Sequence, residues 1–236
     1  MLYRSVWSAL DLLYPPLCGG CGKSGSRWCA DCQKNVNILS DAICDVCGLP
    51  QNTAGVCATC RADRPRFRAL RAWTVFDGPI RKALLKLKYK RDVSMGDELA
   101  AQMIPFAENL NWQVDMLIPI PLGKQRRKER GYNQVGMIAK PLAMALNVQY
   151  APHGLARRKE TRSQVGLSKQ ERKENICNAF EAWKGVGGKN VLVFDDVATT
   201  GSTLSASADA LLSAGAREVY ALTVARALPQ HGLKHA

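Results

Sequence analysis

Residues 191–203 read VLVFDDVATTGST. Four apolar residues, Val191 to Phe194, run into Asp195 and Asp196, and small hydroxyl residues around one glycine follow. A short continuous apolar run predicts a strand buried on both faces, as in a parallel sheet. The chain emerges at Asp195, turns through Thr199–Thr203 and enters a helix over Leu204–Ala214, closed by Gly215. The free N–H groups and positive end of a helix start form an anion site. Thr199, Thr200, Ser202 and Thr203 add hydroxyl donors, and Gly201 lets the backbone come close to a ligand. The loop has no lysine and no G-x-G-x-x-G spacing, so it is neither a Walker A loop nor a dinucleotide fingerprint. Carboxylates beside such a cradle suit the hydroxyls of a sugar whose phosphate fills it, and suit Mg²⁺, directly or through water. The plainer alternative is a Ser or Thr that only caps the helix.

The flanking sequence alternates strand and helix patterns. FRALRAWTVF (67–76) reads as a strand. Gly78-Pro79 opens a helix with Ile80, Ala83, Leu84 and Leu87 as its buried stripe and Arg81, Lys82, Lys86 and Lys90 away from it. VDMLIPIPL (114–122) is a short strand ending in prolines. A helix is expected over Gln134–Leu146, with a kink or break near Pro141. VQYAPHGL (148–155), interrupted by Pro152, and NAFEAW (178–183) are weaker strand candidates. EVYALTVAR (218–226) is the last strand. Strands and helices in alternation predict an α/β fold with a parallel sheet and flanking helices, whose ligands sit at the carboxyl ends of the strands.

Eight of the nine cysteines form four C-x-x-C pairs: Cys18/Cys21, Cys29/Cys32, Cys44/Cys47 and Cys57/Cys60. Two such turns supply the four sulfurs that structural zinc prefers. Sequential pairing gives two ribbons; a cross-braced pairing, first with third and second with fourth, is the alternative. Short hairpin-like gaps favour the sequential form. Gly22 and Gly48 follow two of the pairs, where a turn calls for positive φ. A disulfide scaffold needs an oxidising compartment, and a redox motif needs one pair rather than four in series. Both zinc sites would be closed, hence structural, and metal binding would supply most of the folding free energy of this segment. Cys177, outside the pairs, reads as a small packed side chain.

The chain has 236 residues, 47% of them hydrophobic, and a net charge of +13. Apolar content of that size supports a packed core, and the charge points to anionic partners. No apolar run reaches the ~18–20 residues of a membrane span. The start, MLYRSVWSALDLLYPPLC, reads as an amphipathic helix, and Asp11 with Pro15-Pro16 speaks against a secretory signal, so a cytoplasmic location is expected. Cysteine use stops at Cys60, and Pro65 follows. Two domains are expected, residues 1–64 with the ribbons and residues 65–236 with the sheet. Residues 124–173 hold thirteen Lys or Arg and three Asp or Glu, a surplus of ten that accounts for most of the excess charge. Such a stretch is a solvated loop, a phosphate-binding loop or a nucleic-acid contact. Only Tyr132 and Tyr150 offer stacking surfaces within it.

VLVFDDVATTGST resembles, without a gap, the phosphoribosyl-pyrophosphate (PRPP) motif of type I phosphoribosyltransferases. Joined to a double zinc ribbon, and with RGYNQ at 130–134 and RRKETRSQVGLSKQERKENICNAF at 157–180, the chain is similar to the ComF competence-protein family. By that resemblance Asp195 and Asp196 would hold the ribose hydroxyls from an exposed strand end, and Thr199, Thr200, Gly201, Ser202 and Thr203 the 5′-phosphate. Pro119 to Leu122, Pro121 included, would neighbour the pyrophosphate. Arg157 to Ser168 would form a lid with Thr161, Arg162 and Gln164 as its contacts, and Arg130 and Gln134 would add to the site. The resemblance implies either a Mg²⁺-dependent phosphoribosyl transfer to an unspecified acceptor or a non-catalytic protein that binds PRPP and single-stranded DNA.

Overall fold

A computed structural model describes residues 15–39, 42–158 and 179–228. Residues 1–14, Thr161, Arg162, Gln164 and Cys177 lie outside this set, as do the expected N-terminal helix and most of the lid. The described residues form seven strands: β1 (Leu70–Val75), β2 (Met116–Pro119), β3 (Gln149–Tyr150), β4 (Leu155–Arg157), β5 (Phe180–Ala182), β6 (Asn190–Ala198) and β7 (Glu218–Arg226). Five form a parallel sheet in the order β1-β7-β6-β2-β3, and β4 and β5 make a separate antiparallel pair. The helices are α1 (Ala30–Lys34), α2 (Ala58–Ala62), α3 (Gly78–Tyr89), α4 (Ser94–Asn109), α5 (Lys124–Arg130), α6 (Gln134–Ala145) and α7 (Ser202–Ser213).

The apolar run of the opening stretch behaves as its pattern predicts. Val191 and Val193 face one core layer with Phe67, Leu70, Leu204 and Leu211. Leu192 and Phe194 face the other, with Leu84, Leu87, Leu99, Ile138 and Leu142. Successive side chains of a strand point to opposite faces, so a central strand covered on both sides is apolar throughout. The expected strand over 148–155 splits into β3 and β4, with a turn at Ala151–Gly154 where Pro152 has no amide for a ladder.

The expected break at Pro141 does not occur, since α6 runs through it. Proline leaves the carbonyl of Met137 without its i+4 donor. That carbonyl instead packs against α4 at Gly96, where an added Cβ would lie 2.8 Å from it. The two helices pack closely at this point, and α6 continues through the proline. Four of the described helices have no counterpart in the sequence pattern: the single-turn α1 and α2 of the cysteine segments, and α4 and α5. α4 carries Gly96 and Pro105, and α5 has no apolar residue at all.

The two cysteine segments sit against different parts of the sheet domain. The first rests on α3 and α4: Lys86 Nζ donates to the Cys18 carbonyl (2.7 Å) and Arg27 Nη1 to Ser94 Oγ (3.0 Å). The second joins the core layer of Phe67 and Leu70 through Cys44, Val46, Cys47 and Cys60, with Leu70 N donating to Val46 O (2.7 Å). Between them, Asn37–Leu39 run antiparallel along β1. Val75 N donates to Asn37 O (2.8 Å) and Leu39 N to Trp73 O (3.3 Å). β1 is the outer strand of the sheet, so this linker covers its free edge.

Candidate functional site

Both cysteine groups assemble in sequence order. Cys18, Cys21, Cys29 and Cys32 form one tetrad, and Cys44, Cys47, Cys57 and Cys60 the other, each with its sulfurs within 4.8 Å of one another. This settles the pairing and removes the cross-braced arrangement. Sγ–Sγ distances of 3.5 Å (Cys18–Cys32), 3.6 Å (Cys21–Cys29) and 3.8 Å (Cys47–Cys57) match the ~3.8 Å edge of a tetrahedron with Zn–S bonds of ~2.3 Å. The two are built alike. The third cysteine precedes a short helix (Cys29 before α1, Cys57 before α2) and the fourth lies one turn inside it. Gly22 (φ 83°) and Gly48 (φ 65°) take the predicted left-handed turns. Burial opposes ionisation of Cys18 and Cys44. Backbone N–H groups nonetheless hold both thiols down to about 6, whereas burial pushes Cys32 and Cys60 up. The tetrads fit two structural zinc ions, with no ligand position left open.

At the carboxyl end of β6 the backbone turns into α7 through Gly201, which sits at φ 81°. An added Cβ there would meet Leu70 Cδ2 at an ordinary 3.6 Å. Glycine is therefore required by the left-handed backbone rather than by lack of room. Thr199 and Thr200 are exposed and Ser202 and Thr203 half-buried. Thr200 Oγ1 lies 2.6 Å from Ser202 Oγ and accepts from Ser202 N (3.3 Å). The five residues of the predicted cradle thus form one turn at a helix N-terminus.

The acid pair divides in two. Asp196 is buried, 5% exposed, which corrects the expectation of two exposed strand-end carboxylates. It faces the α3/α6 side of the sheet, where Lys88 Nζ (3.0 Å) and Gln134 Nε2 (2.9 Å) both donate to Oδ2. Asp195, its neighbour on the opposite face, keeps partial access to solvent. Burial, with the repulsion of Asp196, pushes the Asp195 carboxyl up to about 7. The Asp196 amide, Lys88 and Arg157 oppose that shift.

RGYNQ serves this arrangement residue by residue. Arg130 lies over the Tyr89 ring, 5.1 Å from its centroid. Gly131 ends α5 at φ 79°. Tyr132 Oη donates to the Leu87 carbonyl. Asn133 accepts from Val135 N (3.1 Å) to cap α6, and donates to Ile120 O (3.0 Å) in the loop that contains Pro121. Gln134 reaches Asp196, leaving its own Oε1 unpartnered. The motif therefore ties the end of α3, the loop after β2 and the end of β6 together. Arg130 and Gln134 act here as packing and anchoring groups. Of the expected lid, only Arg157 and Arg158 are described: Arg157 is the last residue of β4, and Arg158 follows it, paired with Glu181. Lys88 was not singled out in sequence. Its signal was its place: Ile80, Leu84 and Lys88 recur at i, i+4, i+8, so a lysine stands where the buried stripe should continue.

Among the described residues no helix is long and apolar enough to cross a membrane. Residues 9–61 match the double zinc ribbon domain, and residues 133–235 the phosphoribosyl transferase domain. The DNA utilization protein YhgH of Salmonella typhimurium is 30% identical over 227 residues, covering 92% of this chain and all of that protein. The competence protein ComFC of Bacillus subtilis is 28% identical, covering 94% of this chain and 89% of that one. Among solved structures, the glutamine PRPP amidotransferase of Bacillus subtilis overlaps at a TM-score of 0.39 and 22% identity, covering 55% of this chain and 26% of that one. Two cysteine tetrads that close in sequence order, a parallel sheet whose central strand ends in DDVA and turns through TTGST, and 30% identity along the whole of a relative establish one thing. The chain belongs to the ComF competence-protein family, a double zinc ribbon joined to a type I phosphoribosyltransferase domain.

Proposed function

We propose that the protein binds PRPP at the end of β6 and, with Mg²⁺, transfers its phosphoribosyl group to a nitrogen acceptor. One observation carries this reading: an anion-binding turn at a helix N-terminus follows the central strand, whose carboxyl-terminal part carries a half-buried carboxylate, Asp195, four residues before Thr199. The amides and hydroxyls of Thr199–Thr203 receive the 5′-phosphate. Asp195 accepts from a ribose hydroxyl, and Asp196, held by Lys88 and Gln134, fixes the backbone that presents it. Attack at ribose C1 forms the C–N bond as the C–O bond to pyrophosphate breaks, and the leaving group carries away the electron pair. Arg157, whose charge acts on Asp195, stands at the base of the segment assigned to closing over the pyrophosphate, with Thr161, Arg162 and Gln164 its contacts. Carboxylate and hydroxyl oxygens are the donor type Mg²⁺ takes, so Asp195 and the bound sugar would hold the ion, which supplies charge to the leaving pyrophosphate.

Calorimetric titration with PRPP and Mg²⁺ tests the site. Binding is expected for the wild type and weakened at least tenfold in Asp195→Asn, and no heat in the wild type would end the proposal. Pyrophosphate release across a panel of nucleobases and amines then tests transfer.

A second reading has its own support. α5 is KQRRKER, exposed along nearly its whole length, with Arg130 over the exposed Tyr89 ring beside it. The similar proteins are named for DNA utilization and competence. In this reading PRPP binds without turnover and α5 contacts the phosphates of single-stranded DNA. Oligonucleotide binding should then weaken with salt and with Arg126, Arg127 and Lys128 all changed to Gln. Salt-independent binding, or none, removes it.

A further inference from the structure

One buried charge plays no part in the site above. Arg226, the last residue of β7, is 1% exposed, and its Nε and Nη1 have no hydrogen-bond partner. A guanidinium this deep is strongly unfavourable unless anionic acceptors meet it. Ala198, the ladder partner of Arg226 on β6, packs in the layer with Cys44, Cys47 and Cys60, and partners across a parallel ladder lie on the same face. Arg226 therefore points toward the second cysteine tetrad. Burial lowers its basicity, and the charges that counter this are those of Cys47, Cys60, Cys44 and Cys57, the four members of that tetrad.

Four thiolates around one Zn²⁺ leave a doubly negative centre, and such a centre inside a protein calls for cations close by. A second arginine approaches it. Arg71 of β1 donates through Nη1 to the carbonyls of Asp45 (3.2 Å) and Cys44 (3.4 Å). The first tetrad has no buried guanidinium among its described neighbours. Near it, Lys86 donates to the Cys18 carbonyl, the exposed Lys23 pairs with Asp31, and Lys82 lines the hollow beside Cys21 and Cys32.

We propose that Arg226, seconded by Arg71, is the outer partner of the second zinc centre: its guanidinium balances the charge of the thiolates, and the metal centre in turn makes a buried arginine tolerable at the end of the sheet. The pairing couples the ribbon to the phosphate turn. Phe76 N donates to the Arg226 carbonyl (2.8 Å). The next amide, Ala227 N, donates to Ala198 O (2.9 Å), one residue before Thr199.

The test uses the full-length, zinc-loaded chain, with zinc transfer to a chromophoric chelator followed in time. Arg226→Met should release one of its two zinc ions at least tenfold faster than the wild type, with the other unchanged. Arg226→Lys should lie between. After zinc removal the order of stability should invert. Arg226→Met should melt above the wild type, because it no longer buries an unbalanced charge. If the methionine variant does not fold, Arg226→Lys carries the same measurement, together with the thiolate-to-metal absorption of the cobalt-substituted protein, expected to shift for half of its intensity. Wild-type release of both ions and an unmoved cobalt spectrum in Arg226→Lys would overturn the assignment. So would a methionine variant destabilised equally with and without zinc.

Discussion

Asp196 and Lys88 are a buried ion pair, with side chains 7% and 17% exposed. Removing one partner of such a pair typically costs about 3–5 kcal/mol, since the other is left charged in a poor solvent. Lys88→Met should lower unfolding free energy by that order in urea titration. Lys88→Met combined with Asp196→Asn should lose less than Lys88→Met alone. An effect below about 0.5 kcal/mol for the single change would mean the pair is solvated. Asp195 behaves oppositely in sign. Its carboxyl is raised from 3.8 to about 7, so the folded chain holds that proton more tightly than the unfolded chain does. Its contribution to stability is complete below about pH 4, declines as the pH rises toward 7 and is flat above that. Subtracting the profile of Asp195→Asn from that of the wild type should isolate this decline, and a difference that does not vary with pH would refute it. The acid doublet and the TTGST turn were legible in sequence because they are local. The split between the acids was not, because Lys88 and Gln134 arrive from distant segments, and one-dimensional spacing shows only that a lysine interrupts an apolar stripe.

At the level of elements, the turn between β6 and α7 depends on one backbone conformation. Gly201→Ala has room for its methyl but must hold φ near 81°. A loss of about 1 kcal/mol is expected in thermal or urea melts. Weaker binding of PRPP should accompany it, because the amides of the turn are re-aimed. Full stability and affinity in that variant would show that the left-handed turn carries no strain. The strands with apolar runs, and α3 and α7 with their 3.6-residue stripes, could be read from pattern because burial imposes the pattern. α5 could not, since a helix without an apolar face leaves no periodic trace. α4 was hidden by Gly96 and Pro105. Gly96 is explained only by the surface of α6 lying against it, a contact no local rule contains.

Across the whole molecule the metal sites and the sheet are interlocked. Cys44, Cys47 and Cys60 lie in the same core layer as Leu70, Val193 and Leu204. Structural zinc commonly contributes on the order of 10 kcal/mol, comparable to the entire stability of a domain. Metal analysis should find two zinc ions per chain, and chelation should lower the melting temperature of the sheet along with that of the ribbons. A sheet transition that stays in place after chelation would show the two parts to be energetically separate. The eight cysteines announced the ribbons, but not that the segment joining them would lie along β1. That placement has a consequence for anyone dissecting the protein. A fragment begun at residue 65 would leave an outermost strand with its amides and carbonyls open to solvent, a template on which further copies can add. It should scatter light and sediment on concentration where the intact chain stays clear, so the amino-terminal quarter acts as a shield against self-stacking as well as a metal carrier.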